Sequence, residues 1–299
     1  MRKIAGRVLI AIGGFLVVAG LLTSVWAPGV VKKTPVDVDQ TTRLDGEATK
    51  LGETFAVNVT SITKADSEAS TDDTTIWVNT SCVVANTDGN APDCVDGEDE
   101  RLVSATVGTF ATDRVTALGR DHENLPEGST PYEGIVNKFP FDTEKTDYPY
   151  WDGTLGRTVD MEFLEETEME GLTVYHFAAS VEDEAIEVAE GTPGTYSQAV
   201  DIYVEPITGA VVNQEQSQQR YLEDGTEVLD LNVAFTDDQL ATSLSEAKDN
   251  AANLTLITET VPRIGFIGGA IALALGAVLL LMGRRSQAAH SAHAAAAPA

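Results

Sequence analysis

The chain has 299 residues, with 19 lysines and arginines against 47 aspartates and glutamates. Its length allows one or two domains plus membrane segments. So large an excess of carboxylates excludes a nucleic-acid binder, because phosphate backbones are repelled, and disfavours docking flat on anionic lipid headgroups.

The charge is confined to the middle. No Asp or Glu precedes Asp37 or follows Glu259, and residues 32–262 hold 13 basic and 47 acidic residues, a formal net charge of −34. This acidity suits solubility and draws in cations. It also resembles the surface charge of proteins from saline surroundings.

In chain order, Arg2, Lys3 and Arg7 come first, as a cytoplasmic end of residues 1–7. Residues 8–31 form an uncharged apolar run, VLIAIGGFLVVAGLLTSVWAPGVV. It reaches the roughly 20 residues needed to cross a hydrocarbon core, and Trp26 near its far end suits the membrane interface. A cleaved signal peptide ending at Val25-Trp26-Ala27 is the alternative. Pro28 would then follow the cut and obstruct it, so a retained anchor is preferred.

Residues 32–235 read as an acidic, mainly β domain outside the cytoplasm. Val and Thr are frequent, and short alternating runs are bounded by turn residues. Strands are expected over 54–63, 74–84, 102–113, 115–119, 158–166, 172–181, 198–205, 210–219 and 227–234. Turns are marked by Thr87-Asp88-Gly89-Asn90, Glu170-Gly171, Pro206-Ile207-Thr208-Gly209 and Glu223-Asp224-Gly225. Two similar units are suggested. Thr75-Ile76-Trp77-Val78 is followed by Gly108–Asp113, and Thr173-Val174-Tyr175-His176 by Asp201–Glu205, each second strand running through a short turn into another.

Cys82 and Cys94 are the two cysteines. Outside the cytoplasm a disulfide is their natural state; two independent thiols are the alternative. Between the two halves lie Phe139 and Phe141, then Tyr148, Tyr150 and Trp151, interleaved with prolines. Prolines make such a segment stiff and extended. It forms either an exposed platform for a sugar, lipid or polypeptide, or a hydrophobic plug closing one edge of the sheet, which is preferred.

Thr236-Asp237-Asp238-Gln239 reads as a capping box, and Leu240, Leu244, Ala247, Ala251 and Leu254 recur at helical spacing. A juxtamembrane helix is expected within residues 236–262, over roughly 237–257, with Pro262 marking the join. Residues 264–282, IGFIGGAIALALGAVLLLM, form a second apolar run inside a 263–283 span, followed by Arg284 and Arg285. Gly265 and Gly269, and Gly268, Ala272 and Gly276, stand four apart. Such spacing lets helices approach closely, against Gly13, Gly14 and Gly20 of the first run or against another copy. Excess basic residues at both outer flanks place both termini in the cytoplasm and the main domain outside. The Ala-rich tail, 284–299, is expected to be disordered, and His290 and His293 offer a weak metal chelate.

No nucleophile–histidine set, Walker loop, dinucleotide fingerprint or HExxH occurs. His176 reads as a packing residue and His122 as part of a solvated turn. The carboxylate pairs Glu165-Glu166 and Asp72-Asp73 read as solvated surface. The run Asp93–Glu100 lacks the spacing of a known calcium loop. A non-enzymatic protein without cofactor or metal is therefore expected. Its partners are the bilayer through two helices, a homo-oligomeric copy, and a cell-wall lipid, glycan or protein ligand.

Asn137–Arg157, NKFPFDTEKTDYPYWDGTLGR, resembles a family of actinobacterial envelope proteins of unknown function grouped as porin PorA. Gly171–Phe177, Val204–Ala210 and the order anchor, β domain, helix, anchor resemble it too. The resemblance implies an actinobacterial cell envelope and a pore-related role. It supplies no catalytic residues. A β-barrel porin crosses with strands and needs no apolar helices. A pore here would need several copies, and acidic walls would favour cations.

Overall fold

The computed structural model describes residues 2–294. It divides into two compact units: residues 33–251, and residues 1–32 with 252–299. The protein is mostly antiparallel β, with an apolar helix at each end.

Twelve strands form the first unit: β1 Asp39–Lys50, β2 Glu53–Asp66, β3 Thr74–Ala85, β4 Leu102–Asp113, β5 Leu118–Arg120, β6 Gly134–Ile135, β7 Tyr148–Asp152, β8 Arg157–Met169, β9 Leu172–Ala189, β10 Thr192–Glu205, β11 Ala210–Leu222 and β12 Glu227–Phe235. They form one barrel, closed by pairing of β1 with both β2 and β12. Every pair is antiparallel except β6–β7.

Residues paired directly across antiparallel strands share a face, so the register sorts inside from outside. Leu44 pairs with Val59, Val59 with Val83, Ala48 with Leu231 and Gly46 with Val233. Leu44, Ala48, Val59, Val83, Leu231 and Val233 form one buried cluster with Leu229. Further round the same face, Ile202 pairs with Phe177 and Phe177 with Phe163. Phe177, Ile202, Val200, Met161 and Phe139 belong to a second buried cluster. The opposite face carries Arg43, Asp45, Glu47 and Asn232, all exposed. The barrel is therefore apolar inside and charged outside. Its inner wall also holds polar stripes. Gln198 pairs with Gln218, and Asn79 donates to Ser61 Oγ at 3.0 Å and Thr63 Oγ1 at 2.7 Å.

Several boundaries differ from those expected. Strand β1 was not foreseen, because its inward positions after Leu44 are Gly46 and Ala48, too small to show an apolar alternation. A β-carbon on Gly46 would collide with the carbonyl of Asn232 on β12. The strand expected over 115–119 begins only at Leu118. Asp113 Oδ1 accepts the backbone N–H of Val115 and Thr116 at 2.9 and 2.8 Å, making a turn there instead. Tyr148–Asp152 is a strand, pairing with β8. Both suggested hairpins exist, with Trp77 opposite Phe110 and His176 opposite Tyr203. They diverge afterwards: one leads into three-residue β5, the other into the long β11.

Helix α3, Asp237–Thr255, follows β12. Thr236 Oγ1 accepts the N–H of Gln239 at 3.1 Å, which is half of the expected capping box. The other half is diverted, for Gln239 Oε1 accepts the N–H of Arg43 on β1 at 3.1 Å. Leu244 and Ala247 pack on Val174 and Val212 of the barrel.

The second unit contains helix α1, Arg2–Val25, and helix α4, Val261–Ala294. The first run does not stay helical to residue 31. It breaks at Trp26-Ala27, and Pro28 opens a separate turn, α2 Pro28–Val31, because proline suits a helix start and disrupts an interior. Pro262 does not interrupt its helix. A π-helical turn, Leu256–Thr260, precedes it and relieves the ring's clash with the preceding carbonyl. Helix continues to Ala294 over most of the tail expected to be disordered, in keeping with alanine's helix propensity. Residues 295–299 lie outside the described residues, and so do the side chains of His290 and His293.

Helices α1 and α4 pack along glycines. A β-carbon on Gly13 would stand 2.9 Å from Gly269 O, one on Gly20 3.3 Å from Gly265 Cα, and one on Gly276 2.9 Å from Gly6 O. Gly14 has nothing within 4 Å and lies off this seam.

Candidate binding surface

The five aromatic residues expected to form either a platform or a plug point mainly inward. Phe139 is fully buried, and its ring lies 4.7 Å from that of Phe177 and 5.5 Å from that of Tyr148. Tyr148 and Tyr150 pack on the same cluster. Burial raises the Tyr148 phenol and pushes Tyr150 up to about 12. Trp151, on the opposite face of β7, is also buried and stacks on Tyr132 at 4.6 Å. Tyr132 stacks in turn on Phe110 at 5.0 Å. Phe141 is half-buried, with Lys138 Nζ 3.8 Å above its ring. The segment is a plug of the barrel wall, and Phe139 and Trp151 offer no exposed platform.

What holds the plug was not foreseen. Phe139 N–H donates to Gly209 O at 2.9 Å and Thr143 N–H to Pro206 O at 2.7 Å, so Asn137–Thr143 is laced to the β10–β11 turn. Gly209 sits at φ +72°, and a β-carbon there would collide with the carbonyls of Phe139 and Pro140. The Glu205 side chain, 1% exposed, accepts the N–H of Ile207 and of Thr208 at 2.8 Å each and the Thr208 hydroxyl at 2.5 Å. Lys138 Nζ donates to Phe139 O at 2.9 Å and to Thr208 O at 2.5 Å. Burial drives the Lys138 ammonium down to about 7, and the Glu205 charge opposes that shift. Lys138 and Glu205 both lie within the segments that carry the family resemblance, which was the available signal.

A second polar group closes the wall nearby. Tyr196 Oη donates to Gln198 Oε1 at 2.6 Å and lies 3.1 Å from Asp152 Oδ2. Burial, with Asp152 beside it, raises the Tyr196 phenol.

Cys82 and Cys94 form a disulfide. It ties the β3–β4 connection onto the outer face, beside a recess of about 290 Å³ lined by Ile62, Thr80, Ala105 and Val107. Arg43 pairs with Asp93 at 2.8 Å and holds its carboxyl below the usual range. Arg101 holds Asp99 down to about 2. Two acids of the 93–100 run are thus engaged by arginines. Among the described residues no cluster of three or more metal-ligating side chains occurs.

His176 Nε2 lies 2.7 Å from Asp201 Oδ1, and its ring stacks on Tyr203 at 4.4 Å. His122 Nδ1 accepts the N–H of Asn124 at 3.1 Å. Among the described residues no Ser, Thr or Cys side chain is hydrogen-bonded to either histidine.

This arrangement of barrel, helix and two apolar ends can be set beside known proteins. The family described as Porin PorA matches residues 5–278, nearly the whole chain. The chain belongs to the Porin PorA family. One member, Porin PorA of Corynebacterium amycolatum, is 28% identical over 97 residues, which are 28% of this chain and 25% of that protein. The alignment thus spans about a quarter of that relative's length. A crystal structure of a putative outer membrane lipoprotein-sorting protein domain from Vibrio parahaemolyticus aligns with 74% of this chain and 97% of its own at 6% identity. Its TM-score is 0.18, too low to carry an argument. Within this member of the Porin PorA family, two of the segments that carry the resemblance, 137–143 and 204–210, meet each other in the barrel wall. The apolar helices and the family together point to a membrane location.

Proposed function

We propose that this chain is a non-enzymatic, two-pass envelope protein, with both termini in the cytoplasm and the acidic barrel outside as a binding or structural module. The observation that carries this reading is the glycine-lined pair α1–α4. Both helices are apolar and long enough to cross a bilayer. They pack on each other through close backbone approach, the packing that suits helices in lipid. Basic residues flank their outer ends, and the domain of net charge −34 lies between them.

The family's description favours a second reading, a porin-like channel. The barrel's own polarity argues against its crossing the membrane. A transmembrane barrel presents an apolar band outward and a polar lumen, whereas here Leu44, Val59, Leu231 and Val233 face inward and Arg43, Asp45 and Glu47 outward. A channel would therefore be an assembly of several copies with helices forming its wall, and acidic mouths would favour cations.

Protease added to intact cells should digest the barrel and leave tags at both termini untouched. Tags cleaved from outside would refute the two-pass arrangement. Planar-bilayer recording of the purified protein decides the channel. Discrete cation-selective steps would establish it, and a silent verified oligomer would remove it.

A further inference from the structure

The inner wall of β1–β4 carries two rows of polar side chains set directly across the strands. Thr42 pairs with Ser61, Ser61 with Ser81 and Ser81 with Thr106. In the next row, Gln40 pairs with Thr63, Thr63 with Asn79 and Asn79 with Gly108. Both rows alternate along the strands with Leu44, Val59 and Val83 and share their inward face. Neighbours in a row stand about 5 Å apart.

Thr42, Ser61, Thr63, Asn79 and Ser81 remain half-buried although they point into a closed barrel, and Thr106 is exposed. Solvent therefore enters here, beside the part of β4 that pairs with β3 alone. Asn79 Nδ2 donates to Ser61 Oγ at 3.0 Å and to Thr63 Oγ1 at 2.7 Å. Each hydroxyl accepts that bond, so its own O–H is left to donate. Among the described residues the Thr42, Ser81 and Thr106 hydroxyls have no hydrogen-bond partner. The Tyr132 hydroxyl fills the space that a β-carbon on Gly108 would need. The wall is thus a bank of oriented donors and acceptors in contact with solvent.

We propose that this wall binds a neutral glycan chain. The proposal rests on the reading of the barrel as an external binding module and names its ligand class. Charge narrows the choice. No inward position of β1–β4 within 40–48, 55–65, 75–85 or 104–112 is charged, in a domain of net charge −34. An anionic ligand is repelled by that domain, and a cation finds no carboxylate on this wall to hold it. An acyl chain calls for an apolar lining. A polypeptide is commonly held through free backbone groups of a strand, and here β2 and the facing length of β3 are paired on both sides. Closely spaced hydroxyls and amides remain, and they match the hydroxyls of successive uncharged sugar rings.

The test uses the full-length chain in liposomes, which avoids sugar-headed detergents. Isothermal titration calorimetry is run with neutral hexasaccharides of glucose, galactose, mannose and arabinose, with hexagalacturonate as the anionic probe and hexaglycine as the peptide probe. At least one neutral sugar should bind, and hexagalacturonate should bind at least about tenfold more weakly. Ser61→Ala with Ser81→Ala, and separately Thr106→Val, should weaken the neutral sugar by up to about tenfold, the worth of one or two hydrogen bonds. Asn232→Leu on the exposed face of β12 should not. Thr106 is exposed, so its variant remains testable if the double variant fails to fold, and an unchanged melting curve verifies folding. No binding of any neutral sugar, binding of hexaglycine alone, or binding indifferent to the inner-wall substitutions overturns the proposal. Proteolysis of intact cells separates the two readings. A barrel cut from outside that binds no sugar refutes the glycan site alone, and a sugar-binding chain whose barrel is shielded refutes the external placement alone.

Discussion

Lys138 is the clearest case of one side chain holding distant segments together. Its folded-state value of about 7 lies below the ordinary lysine value, so between roughly pH 7 and 10.5 the unfolded chain binds the extra proton. Stability therefore rises with pH across that window, by on the order of 1 kcal/mol per pH unit. Below about 7 the ammonium is charged in both states and its burial penalty is fully present. Carboxylates are already ionised there, and the buried phenols of Tyr148, Tyr150 and Tyr196, raised from their ordinary value, oppose the gain only toward pH 10. Urea unfolding from pH 7 to 9.5 should show wild type gaining on Lys138→Met. Parallel curves would mean that the ammonium is better solvated than its surroundings suggest. Glu205→Ala removes the acceptor of three donors and leaves the lysine without its counter-charge. A cost of about 3–5 kcal/mol is expected, read as a fall in the urea midpoint at unchanged slope.

Among the secondary elements, the helix pair depends on small residues. Gly13→Leu places a branched side chain against Leu273 and Gly269 and should loosen the pair by about 1–3 kcal/mol. Gly14→Leu points into open space and should not. After proteolysis of the barrel in detergent, the two helix fragments should co-purify from wild type and Gly14→Leu and separate for Gly13→Leu. The disulfide closes a loop with a sequence separation of 12. Cys82→Ser with Cys94→Ser should cost about 3 kcal/mol in the chain-entropy picture, and reduction of wild type should reproduce the loss.

Elements with a strong local signature were legible in the sequence. Both apolar helices, α3, the disulfide and the long strands from β2 to β12 announce themselves by length, period or turn residues. Strand β1 was hidden because its inward face is built of Gly46 and Ala48. The plug's inward direction was only half legible, since Phe139 and Phe141 stand two apart in a segment without a regular period. The Lys138–Thr208 hydrogen bond joins residues 70 positions apart in sequence and leaves no local trace.

At the scale of the whole barrel, electrostatics oppose compactness. A domain carrying −34 gains from screening, because the Debye length shrinks from about 30 Å at 0.01 M salt to about 3 Å at 1 M. The melting temperature of the full chain in detergent should climb over that range. Its surface ion pairs, such as Lys64 with Asp39 at 2.9 Å, weaken with salt but are worth little each. A melting temperature that falls would show that pairing outweighs repulsion.

Closure of the ring by its first and last strands bears on how the chain is made. Leu44 cannot meet Phe235 until nearly two hundred intervening residues have left the ribosome. In the two-pass reading proposed above, α1 would by then be seated in lipid while α4 was still being synthesised. The nascent sheet must wait with its seam open until β12 has emerged, and sealing it then costs the closure entropy of the long chain between the first and last strands.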